Sequence, residues 1–202
     1  MITILNFSPR TNGINDKICD MLCDGFTETK VNYQCIKLRE LTIHECSNCR
    51  SCMKSPGDDV GTCHLTDDMS QFIKSILQSK CIIMSSPINC YDLPSKLQVI
   101  LERMSIFCHW SDDMYAPKVR LMPHDIKGIL ITTSAMPGVM VPLVTKARKT
   151  FRLFAKPLRV KRITYYHLGF KGRATDMTVT EKDKKTVRCI VEKLAHDAVA
   201  TA

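Results

Sequence analysis

Apolar residues along the chain follow two alternating patterns. Five short runs, rich in β-branched and aromatic residues, have the length of strands, and the segments between them repeat apolar residues at helical intervals. The helical stripes begin at Ile14, Met69, Leu97, Val144 and Val187. Thr66 or Asp67 is predicted to cap the second of these helices. The predicted strands span residues 3–7, 33–38, 81–85, 128–132 and 162–167.

Strands that alternate with helices predict an α/β fold, with a doubly wound five-stranded parallel sheet and helices on both faces. For a chain of 202 residues, the strand order 2-1-3-4-5 fits best. No linker or repeat divides the chain, so we expect residues 1–202 to form a single domain. In this order ligands bind beyond the carboxyl ends of strands one, three and four, and the loops that follow those strands are the candidate sites.

Composition limits the classes of protein to which the chain can belong. No apolar run reaches the roughly eighteen residues of a membrane span, and the segment Met1–Arg10 is too short for a signal peptide. Eleven cysteines without an export signal indicate a reducing environment rather than a disulfide scaffold. We therefore expect a cytoplasmic protein that is not associated with a membrane.

Positive charge is concentrated in one part of the sequence. The stretch from Lys146 to Arg173 contains ten Lys and Arg and no Asp or Glu, and it carries the whole positive excess of a chain with net charge +9. Such a stretch is most often a solvated helix face, but it could also bind an acidic redox protein or the extra phosphate of NADPH. It contains no nucleic-acid-binding motif, so nucleic acid is not an expected partner.

A cysteine-rich loop is predicted at residues 44–66. Its spacing is C-x2-C-x2-C-x10-C, and the close first three thiols favour an iron–sulfur cubane, since ferredoxins use the same opening. Zinc, with His44 or His64 in place of one thiol, is a less favoured alternative, because structural zinc sites more often consist of two separated pairs. A reactive dithiol is a third. The candidate ligands are Cys46, Cys49, Cys52 and Cys63.

The loop after the first strand has the residue types of a phosphate site. A small hydroxyl, a guanidinium, a glycine and an asparagine precede a helix, whose N-terminal N–H groups favour an anion. Neither G-x-G-x-x-G nor a Walker lysine is present, so a dinucleotide or P-loop triphosphate is not indicated. An ordinary capped turn is the alternative. The candidate residues are Ser8, Arg10, Asn12, Gly13, Ile14 and Asn15.

The loop after the third strand carries the most specific pattern. Residues 86–91 read Ser-Pro-Ile-Asn-Cys-Tyr and lead to Glu102-Arg103. With the Ser8-Pro9-Arg10 loop and the cysteines that run into Asp67-Asp68-Met69, this order of motifs resembles the flavodoxin-like NADPH-dependent FMN reductases and the iron–sulfur flavoproteins related to them. The resemblance covers about the first two thirds of the chain and ends after Gly138.

The resemblance implies a flavodoxin-like fold that binds FMN and takes a hydride from NADH or NADPH. The electrons would pass to a small acceptor such as a quinone, a free flavin or a metal centre, without a side chain acting as acid or base. It also implies a homodimer or homotetramer. Besides the first loop, it assigns FMN binding to residues of the second and third loops, namely Pro87, Ile88, Asn89, Cys90, Tyr91, Thr133, Ser134, Ala135 and Gly138.

Two departures from the family pattern leave other functions open. The first loop ends in Ile14-Asn15, or with a slip of one residue in Asn15-Asp16, rather than in Asn-Thr. The loss of the threonine hydroxyl, and an Asp16 near the phosphate in the second alignment, should weaken the binding of FMN. Asn89 replaces an aromatic residue of the second loop, with Tyr91 two residues further on. The competing class is an iron–sulfur flavoprotein that transfers single electrons through a [4Fe–4S] cluster in the cysteine loop. A thiol or metal module that has lost its flavin is a third class.

Overall fold

Five parallel strands form the central sheet of the protein. The structure, a computed structural model, describes residues 1–57, 59–120, 126–172 and 178–199. The strands are β1 (Ile2–Asn6), β2 (Tyr33–Lys37), β3 (Cys81–Pro87), β6 (Ile126–Thr133) and β7 (Val160–Leu168), in the order β2-β1-β3-β6-β7. Because β6 and β7 are the fourth and fifth strands of this sheet along the chain, this is the predicted order 2-1-3-4-5, and the fold is flavodoxin-like. A short antiparallel pair, β4 (Cys108–His109) with β5 (Lys118–Val119), lies outside the sheet and was not predicted.

Within the described residues, six α-helices lie between these strands and a seventh follows the last strand. The five longest cover the sheet because their apolar stripes are buried; in α1, for example, Ile18, Leu22 and Phe26 are fully enclosed. None of the described helices is long and apolar enough to cross a membrane. The helices are α1 (Ile14–Glu28), α2 (Ser51–Lys54), α3 (Met69–Leu77), α4 (Ser95–Arg103), α5 (Val141–Val144), α6 (Ala147–Ala155) and α7 (Glu181–Val199).

Two apolar cores lie on opposite faces of the sheet. On one face, Ile4 and Ile83 pack with Ile18 of α1 and Val187 of α7. On the other, residues such as Leu130 pack with α3, α4 and α6. Helices therefore cover both faces, as the alternating pattern predicts.

The structure corrects three details of the predicted helices. The stripe that begins at Val144 is two helices, since Thr145 has extended backbone between α5 and α6. The stripe that begins at Leu97 continues after Arg103 as a 3-10 turn. Asp68, rather than Thr66 or Asp67, is the residue before α3, although Asp67 Oδ1 does accept the N–H of Met69 at 3.1 Å.

Asp67 is instead the partner of Arg103 in a buried ion pair. Nη1 and Nη2 of Arg103 donate to the two carboxylate oxygens at 2.6 and 3.1 Å, and both side chains are almost completely buried. Burial alone would raise the pKa of Asp67, but hydrogen bonds from Arg103 and from the N–H groups of His44 and Met69 outweigh it and lower the pKa to about 2. The pair fastens the end of α4 to the segment that carries the cysteines.

We expect Asp67→Asn to lower the free energy of unfolding by about 3–5 kcal/mol, because it leaves the guanidinium of Arg103 buried without a counter-charge. Urea unfolding at pH 7 measures this loss. The folded pKa lies below the unfolded value of 3.8, so the pair stabilises the parent above about pH 4. The parent should then lose about 2 kcal/mol as the pH falls from 4 to 2, a loss that the variant should lack.

Asp197→Asn is the matched control. Its carboxylate pairs with Lys127 at 2.8 Å, but the two side chains are 38% and 43% exposed. We expect it to cost less than about 1 kcal/mol. Equal losses in the two variants would contradict the importance assigned to the buried pair.

Candidate functional site

The first and second candidate loops face each other across a cavity of about 480 Å³ at the carboxyl edge of the sheet. The parallel register aligns the strand ends there, with Asn6 beside Ser85 and Pro87 beside Thr133. The cavity is lined by Phe7, Ser8, Pro9, Leu38, Arg39, Asn89, Cys90, Asp92, Leu93, Pro94, Ser95 and Lys96.

Backbone donors are concentrated in the first loop. Among the described residues, no acceptor is hydrogen-bonded to the N–H groups of Thr11, Asn12, Ile14 or Asn15, the last two being in the first turn of α1. Gly13 precedes the helix with extended backbone, and a Cβ there would make only ordinary contacts with Arg10. These N–H groups are the kind that bind a phosphate at a helix N-terminus.

Side chains of the first loop fix its shape. The Ser8 N–H donates to Asn6 Oδ1 at 2.9 Å, and Ser8 Oγ accepts the N–H of Arg10 at 3.2 Å. The Ser8 hydroxyl is therefore buried against its own loop, whereas Arg10 and Asn12 are exposed. Asn12 has φ 55, in the left-handed region that asparagine tolerates best after glycine.

Asn15 joins three loops through a buried side chain. Its Nδ2 donates to Thr133 Oγ1 at 3.0 Å, and its Oδ1 accepts from Ser85 Oγ at 3.0 Å. The side-chain amide of Asn15 is thus hydrogen-bonded to residues at the ends of β3 and β6. Only the backbone N–H of Asn15 is then left to bind a ligand in the first loop.

Asp16 and Arg39 also fix the first loop. Asp16 was expected only as an acid near the phosphate, and Arg39, which lies in the turn after β2, was missed. Asp16 Oδ2 accepts the N–H of Gly13 at 3.2 Å, and its Oδ1 accepts from Asn6 at 2.6 Å. Arg39, in the turn after β2, donates to the same Oδ1 at 2.9 Å. The acidic residue three positions after Gly13 is a capping signal that was available in the sequence. Nothing in the local sequence of Arg39 indicates that it reaches the first loop.

The second loop is a tight hairpin with strained backbone. Asn89 and Asp92 exchange N–H···O bonds of 2.8 and 2.9 Å, and Cys90 and Tyr91 between them have φ 47 and 64. Such values favour glycine or asparagine and cost other residues about 1–3 kcal/mol each. The N–H of Ile88 donates to Thr133 O at 2.9 Å, so of the predicted loop residues only Cys90 and Tyr91 keep N–H groups without an acceptor in the described chain.

The third loop is held by His167, at the end of β7, which the sequence analysis also missed. Nδ1 of His167 lies 2.9 Å from Thr132 Oγ1, and Nε2 lies 3.3 Å from Ser134 Oγ and 3.2 Å from Met136 O. Burial lowers the pKa of His167, and Arg148 lowers it further. Its place at the end of the fifth predicted strand, next to the strand that precedes the third loop, could have indicated that His167 lies near that loop. Ala135 and Gly138 are exposed, and their N–H groups have no acceptor in the described chain.

The four predicted cysteines line one separate cavity of about 230 Å³, together with His64 and Trp110. The thiol of Cys49 is exposed, 3.1 Å from Ser51 Oγ and 3.3 Å from His64 Nδ1. Hydrogen bonds from Ser51 and the charge of His64 lower the pKa of Cys49 to about 7. Burial and the other three thiols raise the pKa of Cys52. Within the described ranges, no three His, Cys, Asp or Glu side chains are arranged to hold a metal ion.

A buried arginine shapes the floor of the cysteine loop. Arg120 donates to the carbonyl oxygens of Gly57, Ser55 and Cys52 at 2.7, 2.9 and 3.3 Å. Gly61 packs on the same turn so tightly that a Cβ would lie 1.9 Å from Cys52 O. The loop is thus fixed by contacts of its backbone rather than by its thiols.

The two cavities lie at opposite ends of α4. At its beginning, Lys96 lines the larger cavity and donates to Leu41 O at 2.8 Å. At its end, Arg103 donates to His44 O at 2.8 Å, and Ser105 just beyond lines the cysteine cavity. A helix of nine residues separates them by about 13 Å.

Comparison with known proteins agrees with this geometry. The family model for NADPH-dependent FMN reductase matches residues 1–153. An NAD(P)H:quinone oxidoreductase from Methanothermobacter marburgensis has 15% identity and a TM-score of 0.72, with 96% of this chain and 98% of that chain covered. An FMN-dependent NADH-azoreductase from Bacillus anthracis, solved in complex with FMN, has 12% identity and a TM-score of 0.68, with 96% and 99% covered.

A third similar structure, a flavone reductase, has 15% identity and a TM-score of 0.68; the alignment covers 98% of this chain and only 62% of that chain. No curated protein matches the sequence. At these identities the solved structures establish the fold alone.

The fold and the family match define the class as FMN-dependent NAD(P)H oxidoreductases. The chain belongs to the NADPH-dependent FMN reductase family.

Proposed function

We propose that the protein uses FMN, held between the first and second loops, to pass electrons from NADH or NADPH to a small acceptor such as a quinone, a free flavin or a metal centre. One observation supports this most strongly. The N–H groups of Thr11, Asn12, Ile14 and Asn15, which have no acceptor among the described residues, belong to the loop that borders the 480 Å³ cavity. The family match leads us to place a flavin there.

The loops contain the types of hydrogen-bond donor that FMN requires. The first-loop N–H groups and Arg10 would hold the phosphate, and the N–H groups of Cys90 and Tyr91 would donate to the edge of the ring. The third loop is joined to the second by the hydrogen bond from the Ile88 N–H to Thr133 O, and Ala135 and Gly138 of the third loop are exposed and offer further backbone N–H groups. Bound FMN supplies the hydride chemistry, so the side chains need only bind it, orient it and restrict water.

Exposed apolar side chains near the second loop favour an apolar acceptor. Tyr91 is 65% exposed, and its carbonyl accepts the N–H of Lys146 just after α5, where Leu143 is 81% exposed. Val139 and Met140 before α5 are also exposed. Similar structures bear the names of a quinone oxidoreductase and an azoreductase, which act on small molecules of this kind.

We expect Ser8→Asp to abolish retention of FMN, because it places a carboxylate against the phosphate loop. FMN per chain after desalting, read from the visible spectrum, measures this, with circular dichroism as the check on folding. Ser70→Asp, on the exposed side of α3, is the matched control and should retain the flavin. Unchanged flavin content in Ser8→Asp would remove this loop from the site.

An acidic redox protein is a further candidate acceptor. Lys149, Arg152 and Lys156 of the basic stretch are exposed on or next to α6. Arg148 and Arg152 lie over the ring of Tyr165, at 4.9 and 5.8 Å from its centroid. This fixes two cations on a surface adjoining the second loop, since Thr150 of the same helix donates to Asp92 at 2.9 Å. Arg173, the last residue of the stretch, lies outside the described residues.

If this face binds an acidic partner or NADPH, turnover should fall with added salt, because exposed charges are screened beyond about 8–10 Å at physiological ionic strength. Replacing Lys149 and Arg152 with Glu should remove the salt dependence. Reversal of Lys182 and Lys185 on α7, which are exposed and distant in the sequence, is the control. A parent rate that does not change with salt would leave the stretch as a solvated face.

The second candidate is an electron-transfer flavoprotein with a [4Fe–4S] cluster in the cysteine loop. Its support is that Cys46, Cys49, Cys52 and Cys63 line one cavity and that the backbone beneath them is fixed by Arg120. Zinc, with His64 as a ligand, and free thiols with a reactive Cys49 remain the alternatives for the same cavity.

For a cluster, Cys49→Ser should lose iron and inorganic sulfide together while FMN stays bound, because the two cavities lie at opposite ends of α4. Iron and sulfide are measured in protein prepared without oxygen. Cys189→Ser, an exposed cysteine of α7, should change neither. Zinc would appear as one metal per chain without sulfide. An anaerobic, reconstituted parent with neither iron nor sulfide would end the cluster hypothesis.

A further inference from the structure

Arg39 brings a second cation to the first loop. It lies in the turn after β2, lines the 480 Å³ cavity, and has a side chain that is only 15% exposed. Within the described part of the chain, Arg39 donates hydrogen bonds through Nη1 alone, to Asp16 Oδ1 at 2.9 Å, Arg10 O at 3.3 Å and Ser8 O at 3.4 Å. Arg39 is therefore held against the loop through one nitrogen.

The other guanidinium nitrogens of Arg39 are available to a ligand. Among the described residues, Nε and Nη2 make no hydrogen bond; the nearest acid to Nη2 is the exposed Glu40, whose Oε1 is 4.0 Å away. A guanidinium suits phosphate because it can donate two parallel N–H bonds. The geometry that fixes Nη1 leaves Nε and Nη2 for this purpose.

Asp16 opposes the same ligand. Its carboxylate accepts the N–H of Gly13 at the beginning of α1, the end of the helix that attracts anions. Arg10 and Arg39 contribute two positive charges and Asp16 one negative charge, so these three residues present a net charge of about +1 to a phosphate at the first loop. Without Arg39 the charges of Arg10 and Asp16 would cancel.

We propose that Arg39 is a specificity-determining residue that selects FMN over flavins without a phosphate, and that Asp16 holds Arg39 in place while weakening the affinity for FMN. This inference rests on the proposed placement of the FMN phosphate at the first loop. It differs from that proposal because it assigns the discrimination to a residue outside the loop.

The test compares FMN with riboflavin, which has the same ring and no phosphate. Dissociation constants of the flavin-free protein are measured by quenching of flavin fluorescence. Arg39→Gln should weaken FMN binding about tenfold or more, the loss expected for a hydrogen bond between charged groups, and change riboflavin binding less than about twofold. Arg39→Lys should restore part of the affinity, since it keeps the charge. Asp16→Asn keeps an oxygen that can accept from Arg39 Nη1 but removes the negative charge, so it should tighten FMN binding about threefold or more, without a change for riboflavin.

Arg188→Gln, on the exposed face of α7, is the control and should change neither constant. Riboflavin binding also checks that each variant is folded. If Arg39→Gln weakens both flavins equally, or neither, Arg39 does not select the phosphate and the inference is overturned. If Asp16→Asn weakens FMN, the opposing role of Asp16 is wrong. A parent that binds neither flavin would refute the proposed function itself, and this inference with it.

Discussion

The parallel register of β1, β3 and β6 is the constraint on which the rest of the structure depends. Because parallel strands end at a common edge, the register that pairs Asn6 with Ser85 and Pro87 with Thr133 brings three loops together that are far apart in sequence. The side chain of Asn15 then joins them through Ser85 and Thr133. A shift of one residue in this register would turn the apolar side chains of a strand to the opposite face and separate these partners.

The sequence was sufficient for the sheet because each strand is an apolar run and each major helix has an apolar stripe, both of which are local patterns. Prediction from the sequence was wrong where the same local pattern is compatible with two different structures. The stripe from Val144 to Phe154 has the right spacing for one helix, but Thr145 interrupts it. Asp67 has the right position for a helix cap and does accept the N–H of Met69, but both of its oxygens also accept from the buried guanidinium of Arg103, 36 residues later. That pairing is not visible in the sequence around either residue.

In the candidate site, too, the residues that belong to a local motif could be predicted, and those that reach it from another strand could not. The first and second loops could be identified from their residue types, and the structure places them on one cavity. Arg39 and His167 could not be identified in this way, because each acts on a loop that belongs to another strand. The four cysteines were expected to share a site from their spacing, and they do line one cavity. Their spacing does not reveal that α4 stands between this cavity and the larger one.

The central claim is that the first loop binds the phosphate of FMN. Backbone amide resonances of protein labelled with ¹⁵N, followed during a titration with FMN and then with riboflavin, test it most directly. We expect the amides of Thr11, Asn12, Ile14 and Asn15 to shift strongly with FMN and much less with riboflavin, because only FMN carries a phosphate to accept from these N–H groups. Saturable binding of FMN that leaves these four amides unchanged would contradict it.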